Sequence, residues 1–209
     1  MKKNLMIIGA GGHGRVVADL AEQLGRYDKV LFLDDGEPVG GRIVGGLDAC
    51  GRFLSDSEFF VAIGSNTTRE RIFAALVARG AEIATLIHPF SAVSSGASLG
   101  AGTLVMAGAV VQTGAVLGKG VIVNTGATVD HDCCIADFCH VAVGAHLAGT
   151  VSVGARTIIG AGAAAINNVV IPADTAIGAG AVVVKDIKES GTYVGVPARR
   201  LHANSDSCQ

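Results

Sequence analysis

An aliphatic residue recurs at every sixth position through the second half of the chain. Stepping by six from Ile87 to Val183 meets seventeen positions, of which sixteen are Ile, Leu or Val and one is Ala165. Four positions after most of them stands a small residue such as Ala109 or Thr157. This period is typical of a parallel β-helix, in which each short strand turns one aliphatic side chain inward and a small residue lets the corner close. The pattern predicts an all-β coil of hexapeptide repeats over residues 87–188.

The same frame assigns the neighbouring cysteines. Cys133 and Cys139 fall on the small inward position, so we predict that they fill the core and are neither nucleophiles nor metal ligands. Cys134 lies outside that position and receives no role. The chain has 5 cysteines, an odd number without the spacing of a zinc finger, which favours free thiols in a reducing cytoplasm.

A coil of this kind is expected to need neighbours. Burying the inward aliphatics gains no more free energy than ordering the coil costs, at roughly 1–2 kcal/mol per residue. We therefore expect a cap at each end of the coil and lateral packing into an oligomer.

Residues 1–86 show short apolar runs and helical patterns in place of the six-residue period. Their order predicts a small parallel sheet with helices outside it, an α/β unit that amounts to half of a Rossmann domain. The predicted segments are a strand at Leu5–Ile8, a helix at Arg15–Leu24, strands at Val30–Leu33 and Phe59–Ile63, and a helix from a Thr67 or Thr68 cap to Arg79. Residues 189–209 form a C-terminal segment that ends in a polar tail, for which we expect disorder.

The first predicted strand runs into a glycine-rich loop. Gly9, Gly11 and Gly14 match the pattern G-x-G-x-x-G, and Asp34 follows twenty residues after Gly14. Glycines let the backbone approach a pyrophosphate, and the helix N-terminus supplies amide donors. A nucleoside diphosphate of any kind would suit such a loop, so a nucleotide sugar, NAD(P) and a purely structural turn all remain open.

Charge and hydropathy exclude several classes of partner. The chain has 16 basic and 18 acidic residues, a net charge of -2, and no basic cluster that would favour nucleic acid or an anionic membrane surface. The apolar run after Met1 stops at Gly9, which indicates a strand and not a signal peptide. The uncharged stretch over residues 83–118 is interrupted by Pro89 and by many small residues, so we predict no membrane span.

Polar residues gather once in the coil, around His131. This histidine takes an outward place in its repeat and is flanked by Asp130 and Asp132. A carboxylate that binds one ring nitrogen raises the basicity of the other, as a general base for an amine or hydroxyl requires. The sequence leaves open which aspartate makes this bond. His140 and His146 follow, and three histidines on an oligomeric coil also allow a zinc site.

These motifs together resemble the bacterial nucleotide-sugar acetyltransferases of the hexapeptide-repeat, left-handed β-helix superfamily, and most of all the UDP-4-amino-4,6-dideoxy-sugar N-acetyltransferases of bacillosamine-type pathways. The resemblance covers about residues 4 to 201. It is carried by Gly11-Gly12-His13-Gly14, Leu33-Asp34-Asp35, Ala62-Ile63-Gly64-Ser65-Asn66, Leu86-Ile87-His88-Pro89, His131-Asp132 and Gly195-Val196-Pro197-Ala198-Arg199.

The resemblance implies a homotrimer, a left-handed coil and acetyl-CoA in the groove between adjacent coils, with no metal. It implies His131 as the catalytic base, supported by Asp132 where the family usually has Glu. The implied acetyl-CoA contacts are His140, Gly149, Ala161 and Ala179. The implied nucleotide-sugar contacts are Gly11, Gly12, His13, Asp34, Asp35 and Gly64.

The expected activity is therefore acetylation, by acetyl-CoA, of the C4 amine of a UDP-4-amino-4,6-dideoxy sugar in the cytoplasm, for bacterial surface glycan or protein glycosylation. Three alternatives stay open. They are O-acetylation of a sialic acid or related sugar, N-acetylation of a GDP-perosamine-type sugar, and a catalytically idle nucleotide-binding trimer.

Overall fold

The computed structural model describes residues 2–36 and 42–201. The predicted polar tail from residue 202 and Cys208 lie outside the described residues. Within the described ranges, no helix is both long and apolar enough to cross a membrane.

The N-terminal unit is a parallel four-stranded sheet with helices against it, as the sequence predicts. The strand order is β2-β1-β3-β4. A 3-10 helix at Leu47–Phe53, which the sequence analysis missed, precedes the third strand. The elements are β1 (Asn4–Ile8), α1 (Gly12–Leu24), β2 (Val30–Leu33), β3 (Ser57–Val61), α2 (Asn66–Ala78) and β4 (Glu82–Ile83).

Helix α1 begins at Gly12, three residues earlier than predicted, and its first turn includes two glycines. A Cβ on Gly14 would lie 1.9 Å from the carbonyl oxygen of Gly9. Only glycine at position 14 therefore lets this turn pack against the end of β1, and that packing outweighs the low helix propensity of glycine. Gly25 ends the helix in the left-handed conformation that glycine adopts without strain.

The prediction that Thr67 or Thr68 caps helix α2 is wrong. The N-cap is Ser65, whose hydroxyl oxygen accepts a hydrogen bond from the Thr68 backbone N–H at 3.4 Å. A serine at the N-cap satisfies one of the free amides of the first turn. The loop at Gly64 therefore leads directly into the helix.

The second region is a three-sided parallel β-helix built from two-residue strands. Strands on one side pair with strands 18 residues away, for example Ile122 with His140. We call the three sides the docking face, the second face and the third face. The docking face contains Leu86–Ile87, Leu104–Val105, Ile122–Val123, His140–Val141, Ile158–Ile159, Ala176–Ile177, Thr192–Val194 and Arg199–Arg200. The second face contains Ala92–Val93, Val110–Val111, Thr128–Val129, His146–Leu147, Ala164–Ala165 and Val182–Val183. The third face contains Ser98–Leu99, Val116–Leu117, Cys134–Ile135, Ser152–Val153 and Val170–Ile171.

Three columns of turns join these faces, and each is named after one residue. The His131 corner joins the second and third faces, the Phe138 corner joins the third and docking faces, and the Ala161 corner joins the docking and second faces. The last part of the docking face, from Thr192 to Arg200, comes from the predicted C-terminal segment.

The six-residue frame describes the coil interior, except at its first end. From Val105 to Val183 the inward aliphatic positions are buried, and so are Cys133 and Cys139, whose assignment to the core is confirmed. Ile87, predicted as inward and buried, is 37% exposed. Ile87 belongs to the first strand of the β-helix, so no earlier turn of the β-helix covers it.

The N-terminal unit packs on the docking face. Leu5 and Ile7 of β1 share one buried cluster with Leu104 and Ile122. At the Phe138 corner, the rings of Phe73 and Phe138 meet edge to face, with centroids 5.3 Å apart. Since a three-sided coil places each corner opposite a face, the His131 corner lies on the side away from this unit.

Candidate active site

His131 and Asp132 form a hydrogen-bonded pair at their corner. The Nδ1 atom of His131 lies 2.9 Å from Oδ2 of Asp132. Asp130 plays a different part, since its carboxylate accepts a hydrogen bond from the backbone N–H of His131 at 2.7 Å. The structure thus answers the question that the sequence left open. Asp132 orients the ring and Asp130 orients the backbone.

The turn geometry explains how two adjacent residues pair in this way. Asp132 has a φ of 57° at a position where other turns of the coil have glycines, such as Gly114 and Gly126. Aspartate tolerates this left-handed conformation better than most residues. A Cβ on Gly114 would lie 2.3 Å from Oδ1 of Asp132, so the glycine in the preceding coil leaves room for the carboxylate.

Gly149 leaves the corresponding room for the His131 ring. A Cβ on Gly149 would lie 2.4 Å from Nε2 of the imidazole. The backbone N–H of Gly149 has no hydrogen-bond acceptor among the described residues, and the same holds for Ala161 and Ala179. These first turn positions therefore offer unused backbone donors on the outside of the coil.

The side chains of His131 and Asp132 are open to solvent, and the neighbouring aspartates make His131 a stronger base. The side chains of His131 and Asp132 are 54% and 63% exposed. The hydrogen bond to Asp132 raises the pKa of His131, with a further contribution from the charge of Asp130. With Nδ1 bound to the carboxylate, Nε2 is the ring nitrogen left to accept a proton.

His140 has the opposite surroundings. It lies on the docking face, with its Nε2 atom 3.1 Å from Nδ2 of Asn124. Burial lowers the pKa of His140 to about 4, and the charges of Arg69 and His13 lower it further. The ring is therefore neutral at physiological pH, and the Asn124 amide donates to Nε2.

The predicted nucleotide loop divides into packing glycines and open glycines. Gly9 and Gly14 are needed for close contacts within the unit. A Cβ on Gly11, Gly12 or Gly64 would meet no atom within 4 Å, so these three border open space. The Gly11 N-cap uses no side chain, which leaves the amides of the first turn of α1 free for an anion.

The two aspartates after β2 differ in their availability. Both carboxylate oxygens of Asp34 accept backbone N–H groups, from Ala10 at 2.6 Å and from Gly36 at 2.7 Å. Asp34 thus ties the glycine loop to β2, and these bonds lower its pKa. Asp35 uses Oδ1 for the N–H of Leu47 at 3.0 Å, and Oδ2 has no protein partner among the described residues. A cavity of about 170 Å³ opens beside both.

His13 lies in the first turn of α1, near the coil. Its Nε2 atom is buried and has no hydrogen-bond partner among the described residues. Burial lowers the pKa of His13, and so does the charge of Arg69. The lowered pKa favours the neutral ring, whose Nε2 atom is an unused hydrogen-bonding atom in the first turn of α1.

Within one chain, the structure does not bring all predicted site residues together. His131, Asp132 and Gly149 share the His131 corner, whereas His140, His13 and the glycine loop gather at the docking face. His146 lies on the second face, with its Nδ1 atom 3.0 Å from the Thr128 hydroxyl. Among the described residues, no three potential metal ligands form a group, so the three histidines of the zinc alternative stay apart.

Arg69 is 1% exposed and was not among the predicted site residues. The signal was present in the spacing, because the buried residues of α2 are Arg69, Ile72, Phe73 and Leu76. An arginine on the apolar face of a helix is expected to have a dedicated set of hydrogen-bond acceptors.

Comparison with known proteins agrees with this architecture. Residues 4–76 match the PglD N-terminal domain family. The chain is 36% identical over 110 residues to the UDP-N-acetylbacillosamine N-acetyltransferase of Bacillus subtilis (strain 168), covering 49% of this chain and 51% of that protein. The match thus spans about half the length of this curated relative.

Two solved structures match over almost their whole length. The acetyltransferase domain of PglB from Neisseria gonorrhoeae FA1090, in complex with acetyl coenzyme A, has 43% identity and a TM-score of 0.93, over 96% of this chain and 100% of that chain. A His-to-Ala variant of the GDP-perosamine N-acetyltransferase from Caulobacter crescentus, in complex with CoA and GDP-perosamine, has 38% identity and a TM-score of 0.90, over 96% and 97%.

The coil is left-handed, as the resemblance predicted. The identity to solved acetyltransferases, the nearly complete coverage and the PglD-type N-terminal unit lead to one assignment. The chain belongs to the nucleotide-sugar acetyltransferases of the hexapeptide-repeat, left-handed β-helix superfamily.

Proposed function

We propose that this protein transfers the acetyl group of acetyl-CoA to the C4 amine of a UDP-4-amino-4,6-dideoxy sugar, in the cytoplasm, for surface glycan or protein glycosylation. The observation that carries the proposal is the 2.9 Å bond between Nδ1 of His131 and Asp132. This bond leaves Nε2 exposed above Gly149 as a proton acceptor. The choice of UDP follows the Bacillus subtilis relative, whose name includes a UDP sugar.

His131 acts as the general base. Its Nε2 atom takes a proton from the sugar amine while the amine nitrogen forms a bond to the thioester carbonyl carbon. Asp132 stabilises the imidazolium that results, because its carboxylate accepts the Nδ1 proton in a charge-assisted hydrogen bond. The tetrahedral intermediate then expels the CoA sulfur, which receives the proton from His131. No acyl-enzyme is needed.

The unused N–H of Gly149 is suited to the carbonyl oxygen of the thioester. Gly149 lies beside the His131 ring, since a Cβ on it would lie 2.4 Å from Nε2, and negative charge would develop on the thioester oxygen next to this ring. A backbone donor of this kind contributes roughly 2.7–4 kcal/mol to transition-state stabilisation in comparable enzymes. The free amides of Ala161 and Ala179, together with His140, are proposed to hold other parts of acetyl-CoA.

The nucleotide sugar is proposed to bind at the N-terminal unit. Its diphosphate would meet the first turn of α1 above Gly11 and Gly12. The Gly64 loop would border the nucleotide, since Ile63 lines the cavity beside Asp34 and Asp35. Asp35 offers Oδ2 to a ribose or nucleobase donor, whereas Asp34 shapes the loop through its two backbone bonds. His13 lies in the same first turn of α1, where its buried Nε2 atom has no hydrogen-bond partner among the described residues.

The reaction then needs more than one copy of the chain. The nucleotide loop lies on the docking face, and His131 lies at the opposite corner. We propose a homotrimer in which the His131 corner of one copy faces the docking face of the next, with acetyl-CoA in the groove between them. The exposed Val116 and Val170 of the third face, 50% and 48% exposed, would be covered in such an assembly.

A GDP-perosamine-type sugar is the second candidate acceptor. The Caulobacter crescentus enzyme that binds GDP-perosamine is 38% identical over almost its full length. The same base and amine chemistry would serve both sugars, so the difference rests on the nucleobase beside Asp35.

Thiol release from acetyl-CoA tests the proposal. The wild-type chain and His131→Ala are each offered a UDP-4-amino-4,6-dideoxy sugar and GDP-perosamine, and binding is followed by thermal shift with UDP and GDP. We expect release only with wild type, and faster with the UDP sugar. Stabilisation by a nucleotide, with no thiol release from either sugar, would instead support a catalytically idle nucleotide-binding protein.

A further inference from the structure

Arg69 is the most deeply buried charge in the described chain and joins its two regions. Its Nη1 atom donates to the carbonyl oxygens of Ile63 and Gly64, at 3.0 and 3.3 Å. Its Nε atom donates to the carbonyl of Gly120 at 2.9 Å, and Nη2 donates to that of Phe138 at 2.8 Å. One guanidinium thus binds the loop at Ile63 and Gly64, which leads from β3 into α2, on one side and the coil on the other.

The remaining contacts complete the donors of Arg69 without adding a negative charge. Nη2 also donates to Oδ1 of Asn66 at 2.8 Å and to the carbonyl of Cys139 at 3.3 Å. None of the ion pairs among the described residues includes Arg69. Burial lowers its pKa to about 10, so the group still carries its charge at neutral pH.

Resting on the proposed function, we infer that Arg69 is a positioning residue that fixes the nucleotide-sugar loop at Gly64 against the coil segment leading to His140. It is not a catalytic residue, because it is buried and its donors are used by the protein. Its effect reaches the substrates through the loop and through the two neighbouring histidines.

The loop depends on this contact more than the coil does. The coil backbone at Phe138 and Cys139 has its own ladder, since Phe138 N–H donates to Lys119 and Ile122 N–H donates to the Cys139 carbonyl. The carbonyls of Ile63 and Gly64 lie between β3 and α2, outside any strand or helix. Loss of the guanidinium is therefore expected to release the loop and to leave the coil in place.

The positive charge of Arg69, which no carboxylate neutralises among the described residues, has a second effect. His140 is under the influence of Arg69 and His13, and His13 is under the influence of Arg69. Among the described residues, these are the charged or titratable groups that shift the pKa of the two rings. Burial is the larger cause of the lowered pKa of both rings, and the positive charge of Arg69 adds to it. The charge therefore favours the neutral form in which Nε2 of His140 accepts from the Asn124 amide.

Arg156 provides a matched control. It also links helix α2 to the Phe138 corner, through Glu70 at 3.3 Å, while its Nε atom donates to Asp174 at 2.7 Å. Its side chain has no hydrogen bond to Ile63 or Gly64 among the described residues, and only its backbone carbonyl accepts from Asn66, at 2.8 Å. It is not among the charges that act on His140. Arg156→Met removes a link between the two regions. It leaves intact both effects proposed for Arg69, namely the position of the Gly64 loop and the pKa of the two histidines.

The experiment compares Arg69→Lys, Arg69→Met and Arg156→Met with wild type. Calorimetric titration gives the Kd of UDP, steady-state assays give the KM of each substrate, and NMR titration of the histidine Cε1–H signals gives the His140 midpoint. We expect Arg69→Lys to weaken UDP binding at least fivefold and to raise the KM of the nucleotide sugar similarly, with the KM of acetyl-CoA changed less than twofold. Arg69→Met is expected to add an upward shift of the His140 midpoint. Arg156→Met is expected to leave all three values near wild type.

Each outcome bears on the inference. A folded Arg69→Lys protein with wild-type UDP affinity would overturn the positioning role, and equal losses in Arg156→Met would reduce Arg69 to a general link between the regions. If neither Arg69 variant folds, the inference is also overturned, because it requires that the β-helix stays in place without the guanidinium. UDP binding needs no turnover, so wild type that binds UDP without acetylating any sugar would refute the proposed function alone.

Discussion

His131 and His140 lie nine residues apart in the same β-helix and have opposite properties. His131 projects from a corner, is half exposed and has a raised pKa through Asp132. His140 lies on the docking face beneath the N-terminal unit, and burial lowers its pKa to about 4. The repeat sets the direction of each side chain, but the packing of a separate unit decides whether that direction leads to solvent. One ring is thereby prepared to take a proton and the other to stay neutral.

Removing His131 should give the largest effect. We expect His131→Ala to lower kcat by about 10³-fold, because a general base contributes roughly 10²–10⁴-fold, while the Kd of UDP stays unchanged. His140→Gln should lower kcat less than tenfold and act mainly on the KM of acetyl-CoA. Equal losses of kcat in the two variants would remove the distinction between a base and a binding contact.

Gly149→Ala tests the same ring by steric means. The new Cβ would lie 2.4 Å from Nε2 of His131, so the imidazole must move away. We expect kcat to fall by about 10²-fold, as a misplacement of about 1 Å does in other enzymes. The melting temperature should hardly change, because an exposed side chain gives way. Gly51→Ala, where a Cβ meets no atom within 4 Å, is the control and should remain active.

Asp132→Asn should have a smaller effect with a distinct pH signature. Without the carboxylate the pKa of His131 falls, so the acidic limb of the kcat/KM profile moves to lower pH. The plateau should drop by about tenfold because the base is weaker. Asp130→Asn should keep most activity, since an amide oxygen still accepts the His131 backbone N–H. An acidic limb that stays at its wild-type position in Asp132→Asn would contradict the pairing.

His140 should act on stability instead of rate. Its folded pKa of about 4 lies below the value of 6.5 in the unfolded chain. Above pH 6.5 both states are neutral and the full stability is present. As the pH falls from about 6.5 to 4, the unfolded chain binds the proton first, at a cost of up to about 3 kcal/mol. Urea unfolding at pH 7 and pH 4.5 should show a smaller decline for His140→Gln than for wild type, and an equal decline would be inconsistent with a buried neutral ring.

The sequence was informative where one periodic rule governs many residues. The six-residue frame correctly predicts the inward positions from Val105 onward and the burial of Cys133 and Cys139. It also gives the outward direction of His131. These features follow from the local geometry of one repeat, which every coil shares.

Other features depend on contacts that no local pattern encodes. Helix α1 begins early because Gly14 packs on Gly9, and Ser65 caps α2 although Thr67 and Thr68 follow it. The choice between Asp130 and Asp132 depends on the left-handed φ of Asp132. The burial of His140 depends on how the N-terminal unit docks.

His131 of one copy is proposed to serve the nucleotide sugar held by another, and the activity of mixed oligomers distinguishes this arrangement from a site within one copy. Two inactive variants are co-assembled, His131→Ala and Gly11→Asp. In Gly11→Asp a good N-cap residue places a negative charge where the diphosphate would bind. If each site combines two copies, an equal mixture should recover about a quarter of wild-type activity, because a quarter of the neighbouring pairs join an intact base to an intact nucleotide unit. Mixed oligomers that form but stay inactive would contradict the claim.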